Sequence, residues 1–430
     1  MSEPRKASAD FDFNGKSMKT VLGSYLKGVT YTDVASGNSD QLDITLQNID
    51  MDWLGKKYPH KGDSVNGTIT FLNWEGEGRN KSLNCGSFVL DNIKFSGGPI
   101  ESSFGCLAVP ANGSFNTRER TKTWKDVTVK GIAREIARKY GLLLLYSGEE
   151  IRIRSIEQSQ RTDSAFLTEI CEKYGLSIKV YNKSIVIYDQ TAMEKKKSVV
   201  TLNRSSFVDD NWTFEDSLEG TYTGARISYK SGDGSDEISV YIGLKAEDAD
   251  GARVLKINET ADSISDAYYK AAAKVNKANE STTTLSGEIW ANPQICSGAT
   301  VSIKGMGKVN GKYFVDKSTI EVGDSGTKQN IEMHKCQKRL TYKPQPAVQS
   351  SGVGSNEVKS YKTGDIVNFH GGMHYVSSHS GAKGYDAKAG PAKITFGPDS
   401  AGNGKAHPWH LVNTDGTSNV YGWVDEGTFS

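Results

Sequence analysis

The chain has 430 residues, too many for one hydrophobic core, because single cores stop growing at about 250 to 300 residues; two to four domains are expected. Its 52 Lys and Arg against 51 Asp and Glu leave no charge excess for holding a polyanion, and no basic block interleaved with aromatics is present, so no nucleic-acid partner is expected. Forty-five Gly against 10 Pro suit short strands joined by turns, and the longest strongly apolar run, residues 142–146, is far too short to cross a bilayer.

Residues 1–12 are polar and charged, with no apolar stretch of signal-peptide length, which predicts a soluble chain made in a cytoplasm. Residues 18–110 read as strands. Leu42, Ile44 and Leu46 alternate with polar neighbours, as do residues 68–72, and segments 88–90 and 93–95 flank a predicted Asp91-Asn92 turn. A small antiparallel barrel over residues 1–116 is expected, with a bend at Asp52-Trp53-Leu54-Gly55 and a turn at Lys61-Gly62-Asp63.

Next comes a duplication. Residues 128–153 align without a gap on residues 162–187, with nine identities in 26 positions, among them Thr128/Thr162, Tyr140/Tyr174, Gly141/Gly175, Ile151/Ile185 and Ile153/Ile187. Each copy reads as a helix capped by its Thr and stopped by its Gly, followed by two short strands. Two copies are too few for an open solenoid, so residues 117–190 are expected to form a closed α+β module with Tyr140 and Tyr174 in its core. Strands return over 191–340, interrupted by one helix at 263–279; they predict a second barrel. Residues 341–360, with Pro344, Pro346 and a Gln-Ser-Ser-Gly stretch, read as a tether. Residues 361–430 read as a separate small β domain, turning at Gly364, Gly371-Gly372 and Gly416. The fold class is mainly β with an α+β insertion.

No motif carries recognisable catalysis. Cys296-Ser297-Gly298 resembles the nucleophile tripeptide of papain-like wall peptidases, but it is followed by the alternating strand pattern of residues 299–303, where such a thiolate needs an apolar helix; His334 has no evident orienting partner. Five cysteines without a CxxC pair indicate neither a disulfide framework nor a zinc site. His370, His374, His379, His407 and His410 crowd the last domain, yet a Gly371-Gly372 hairpin would set His370 and His374 on opposite faces. The pairs Glu149-Glu150 and Asp209-Asp210 read as charged loops, and Gly305 to Lys308 as a turn. No catalytic residue, metal or cofactor is expected.

Several blocks, in order, carry a resemblance: Leu42-Asp43-Ile44-Thr45-Leu46 with Asp52-Trp53; Cys85-Gly86-Ser87-Phe88-Val89-Leu90-Asp91 with Phe95-Ser96-Gly97; Arg120-Thr121-Lys122-Thr123-Trp124; Tyr174-Gly175-Leu176; and Gly311-Lys312-Tyr313. Over residues 18–337 the chain resembles the late control gene D family, the hub proteins of contractile phage tails and of phage-tail-like bacteriocins. The resemblance implies a structural homotrimer in which two barrels per subunit make a ring of six. Such a ring adapts the six-fold tail tube to the three-fold spike and chambers the end of the tape measure protein. It also implies assembly in the bacterial cytoplasm, then residence in the tail baseplate.

The last domain, through Tyr361-Lys362-Thr363-Gly364-Asp365, His407-Pro408-Trp409-His410 and Tyr421-Gly422-Trp423-Val424, resembles bacterial SH3-like modules of cell-wall proteins. That implies peptidoglycan or another wall polymer as ligand, stacked on Tyr375, Tyr385 or Trp409, or else docking on a neighbouring tail protein. The rival readings are a wall hydrolase anchored by this module and a non-enzymatic wall-binding protein.

Overall fold

The computed structural model describes residues 4–18, 25–109, 114–230, 237–261, 263–323, 326–342, 361–397, 406–425 and 427–429. The chain divides into two compact units, Met1–Lys343 and Pro344–Ser430. Most of the expected tether lies outside the described residues.

The first unit is built on a 13-stranded sheet that runs through both predicted barrels. Alternation sets its first core: Leu42, Ile44 and Leu46 of Gln41–Gln47 are fully buried and meet Val65, Ile69 and Phe71 of Ser64–Leu72 and Phe104 of Ile100–Leu107. A second core gathers Leu285, Ile289, Val301, Ile303, Tyr313, Val315, Ile331 and Met333. One strand, Gly311–Gly323, serves both. Its first part pairs with Thr300–Ile303, its second part with Leu26–Val34, and Gly326–Lys335 lies along its other edge. The register shifts between Val315 and Lys317, so Asp316 is a bulge at the point where the strand passes from one core to the other.

Two expected turns are absent. Lys81–Gly97 is a single strand, and its register against Ile100–Leu107 shifts between Leu90 and Asn92, so the polar Asp91-Asn92 pair is absorbed as a bulge. In the second unit Gly371 and Gly372 adopt left-handed φ of 90° and 111° but do not close a hairpin. Ile366–Phe369 pairs with Gly390–Phe396, and Gly372–Tyr375 with Gly384–Ala387.

The duplicated module is a pair of strand-helix-strand passes. Glu119–Thr128 leads into the helix Val129–Lys139 and then Leu143–Ser147; Arg152–Thr162 leads into Asp163–Lys173 and then Leu176–Tyr181. Thr128 and Thr162 cap the two helices by accepting from Gly131 and Ala165 N–H, and Gly141 and Gly175 end them at φ 64° and 69°. The copies differ in strand partners. Leu176–Tyr181 and Ser184–Asp189 form a hairpin, whereas Leu143–Ser147 joins that hairpin in parallel and Arg152–Thr162 pairs with Glu119–Thr128. Ile151, Ile153, Ile185 and Ile187 are buried in one core with both helices. The helix Ile264–Glu280 is capped by Ser263 and lays Ala267, Ala271 and Val275 on the sheet of Gly224–Lys230, Glu237–Gly243 and Val254–Ile257.

The second unit is a six-stranded sheet around Val367, Phe369, Ile394, Trp409, Leu411, Val420, Val424 and Phe429, tied at its end by a bridge between Phe369 and Phe429.

Candidate functional site

Two buried charge clusters fix the parts of the first unit. In one, Lys179 of the module lies 2.6 Å from Asp33 Oδ1 and 3.1 Å from Asp40 Oδ2, both in the first barrel region. Ser297, in the second, donates to the same Asp33 through its backbone N–H at 2.7 Å and its hydroxyl at 2.6 Å. Burial pushes Asp40 up to about 6 against the opposing pull of Lys179.

In the other, His334 sits between Asp316 (Nδ1 to Oδ1, 2.8 Å) and Glu194 (Nε2 to Oε1, 3.1 Å), while Arg339 binds Glu194 and reaches Glu280 at 2.9 Å. Burial would depress His334, but the hydrogen bonds its ring donates to Asp316 and Glu194 hold it raised at about 9; burial would raise Glu194, but His334 and Arg339 hold it at about 2. Asp316 is the bulge of the shared strand, and Glu194 ends the short helix leaving the module. This cluster therefore joins module, shared strand and the end of the long helix.

A further buried carboxylate lies inside the module. Asp163 accepts from Lys139 Nζ at 2.5 Å, Tyr140 OH at 2.6 Å and Gln158 Nε2 at 2.9 Å, contacts that lower its pKa against the effect of burial. Tyr174 is buried as expected, but Tyr140 is only partly so: its ring packs on Phe115 while its hydroxyl serves Asp163.

None of these clusters is arranged for nucleophilic chemistry. Although Cys296 is exposed, desolvation and the charge of Asp33 push its thiol above its usual range, opposite to what a thiolate nucleophile needs, and His334 is engaged elsewhere. Among the described residues no group of three or more metal-ligating side chains converges.

The outer surface offers edges and apolar patches. At one end of the large sheet, Lys6–Phe13 pairs along Ser64–Leu72, but over residues 6–9 no strand pairs with its far side among the described residues. At another end, Phe207–Asp216 pairs only with Thr283–Trp290 among the described residues. Such edges template further strand pairing. Between the first edge and Gly323, Gly326 and Thr327 lies a cleft of about 790 Å³, lined also by Trp74 and the exposed Trp290. On the first barrel, the loop after Gln41–Gln47 exposes Ile49, Met51, Leu54 and Tyr58 within ten residues. Met51 takes a left-handed φ of 59°, an uncommon conformation for a side chain of this kind.

In the second unit the three expected ligand residues part company. Trp409 is 8% exposed and packs between Tyr361 and Phe429, so it is core and its ring face is closed to a polymer. Tyr375 stacks on His407 at 3.5 Å, and His407 in turn bonds Asp425. Tyr385 is exposed beside His374. A different set is clustered at the surface: Phe396, His410, Tyr421 and Trp423. Alternation was the available signal, since Trp409 and Leu411 share one face of their strand and Trp423 faces opposite to Val424.

A large sheet around two cores that share a strand, with a helix-bearing module held on by buried charges, is a fold that solved phage tail proteins share. The 43 kDa tail protein of prophage MuSo2 from Shewanella oneidensis superposes with a TM-score of 0.58 at 13% identity, covering 77% of this chain and 98% of that one. The tail protein from Neisseria meningitidis MC58 gives 0.57 at 13% identity, covering 77% and 97%.

In sequence, the chain is 28% identical over 223 residues to the "Probable baseplate hub protein" of Escherichia phage 186 and 30% identical over 217 residues to that of Escherichia phage P2. These matches take in 50% and 48% of this chain and 54% and 52% of those proteins, so the chain spans about half the length of the curated relatives it matches. No family model matches the chain. Over about half its length the chain is thus similar in sequence to two phage baseplate hub proteins, and its fold is similar to that of phage tail proteins.

Proposed function

We propose that this chain is a structural hub of a contractile-tail baseplate, a homotrimer that adapts a six-fold tail tube to a three-fold spike and encloses the end of the tape measure protein. The observation that carries the reading is the shared strand Gly311–Gly323, which holds two β cores in one continuous sheet and gives each subunit two neighbouring β surfaces. Three-fold and six-fold rings can share an axis when each subunit of the smaller ring offers two such surfaces. The open edges at residues 6–9 and at Phe207–Asp216 suit head-to-tail closure of a ring. Assembly in the bacterial cytoplasm followed by residence in the tail completes the reading.

Its role is mechanical, and the Cys296 thiol, held above its usual range beside Asp33 while His334 is engaged by Asp316 and Glu194, argues against the rival wall hydrolase. Light scattering on the purified chain, alone and with its tail tube protein, is the test. A trimer that caps tubes is expected; a chain that stays monomeric in both, or that clears purified cell wall, would overturn it.

A further inference from the structure

The second unit carries an aromatic platform. Phe396 and Trp423 lie within 19° of parallel with ring centroids 6.0 Å apart. His410 meets Phe396, Tyr421 and Trp423 edge-on at 5.7, 5.8 and 5.3 Å. The rings come from three adjacent strands, Gly390–Phe396, Trp409–Asn413 and Tyr421–Val424, whose opposite face is the core built on Ile394, Leu411 and Val424. Phe396 is 48% and Tyr421 68% exposed. Thr395 Oγ1 lies 2.6 Å from His410 Nδ1, which fixes the central ring. Large aromatics left in water side by side, when core positions a residue away are filled, mark a contact surface rather than packing.

Its chemistry narrows the ligand. Residues 361–430 hold five Lys and no Arg against five Asp and one Glu, so no cationic field exists for a phosphate polymer or nucleic acid. Burial, with a smaller effect from His374, lowers His410, which leaves the platform uncharged near neutral pH. Side chains from neighbouring strands stand side by side on a pleated face, giving a broad surface rather than the slot that a polyproline helix needs. Ring faces and the polar tips of Tyr421, Trp423 and His410 match a ligand with apolar C–H faces and hydroxyl edges.

From this we infer that Phe396, His410, Tyr421 and Trp423 form a binding site for an uncharged polysaccharide, with pyranose rings stacked on Trp423 and Phe396 and hydroxyls bonded by the ring edges. The site is separate from Tyr375 and Tyr385 and independent of the hub reading.

The test presents the full chain to an array of neutral glycans (chito-oligosaccharides and glucans), acidic glycans and proline-rich peptides. Retention by a neutral glycan, insensitive to added salt, is expected, and both Trp423→Ala and Tyr421→Ala should weaken it by roughly tenfold or more. Tyr421 is largely outside the core, so its variant keeps the test valid if Trp423→Ala unfolds. Binding only to acidic glycans, only to peptides or to nothing on the array overturns the proposal. So does neutral-glycan binding that survives Tyr421→Ala and Phe396→Ala together.

Discussion

The Lys179 ammonium lies 2.6 Å from Asp33, so a cation of the inserted module is shut between two carboxylates of the first barrel region, Asp33 and Asp40. Replacing it by Met leaves both acids buried without their cation. Lys179→Met is expected to cost about 3 to 5 kcal/mol. Urea unfolding of the full chain measures this, and adding Asp40→Asn to the variant should recover part of the loss.

His334 makes stability depend on alkaline pH. Its folded pKa, about 9, lies above the ordinary histidine value of 6.5, so its contribution is complete below 6.5 and is lost as pH rises through 9. The expected fall is about 3 kcal/mol, from 1.36 kcal/mol per unit. Glu194 works in the opposite sense: held at about 2, it stabilises above 4.5, and that share is lost as pH falls through 2. Denaturant midpoints followed from pH 6 to 10 should show the alkaline fall in the native chain and a much flatter profile in His334→Gln.

Tyr140 holds the first helix of the module against the start of the second through a 2.6 Å bond to Asp163. Tyr140→Phe keeps the ring on Phe115 and removes this bond to a charged, buried acceptor together with a longer contact of the same hydroxyl to Ser114 O at 3.4 Å. A loss of about 1.5 to 3 kcal/mol is expected. Thermal unfolding is the readout, and a change under 0.5 kcal/mol would mean that Lys139 and Gln158 suffice for Asp163.

Local rules carried far in this sequence, and non-local ones did not. Thr128, Thr162, Gly141 and Gly175 cap and stop helices through contacts within a few residues, so their roles could be read directly. The strands Leu143–Ser147 and Arg152–Thr162 were visible as strands, but their partners lie outside their own copy of the repeat, and identical motifs cannot report that difference. Asp33 and Lys179 are 146 positions apart, with nothing in either neighbourhood to link them. Bulges at Asp91 and Asp316 look like turn and strand, because a polar pair interrupts a strand in the same way that it begins a turn. At Trp409 the period-two pattern with Leu411 pointed inward, and aromatic character alone pointed outward; the core took the ring.

The loop after Gln41–Gln47 is the surface on which the hub reading can be tested without disturbing the fold. Ile49, Met51, Leu54 and Tyr58 are exposed, so Leu54→Glu removes little buried contact and should change stability by less than about 0.5 kcal/mol. If these residues form a ring of apolar contacts to a neighbouring tail component, a charge placed among them must be desolvated on assembly. Leu54→Glu is therefore expected to leave the unfolding midpoint unchanged while reducing incorporation into tail particles by roughly tenfold or more, as read by quantitative immunoblotting of purified particles. Incorporation equal to that of the native chain would remove this loop from the assembly surface and leave the open sheet edges as the remaining candidates.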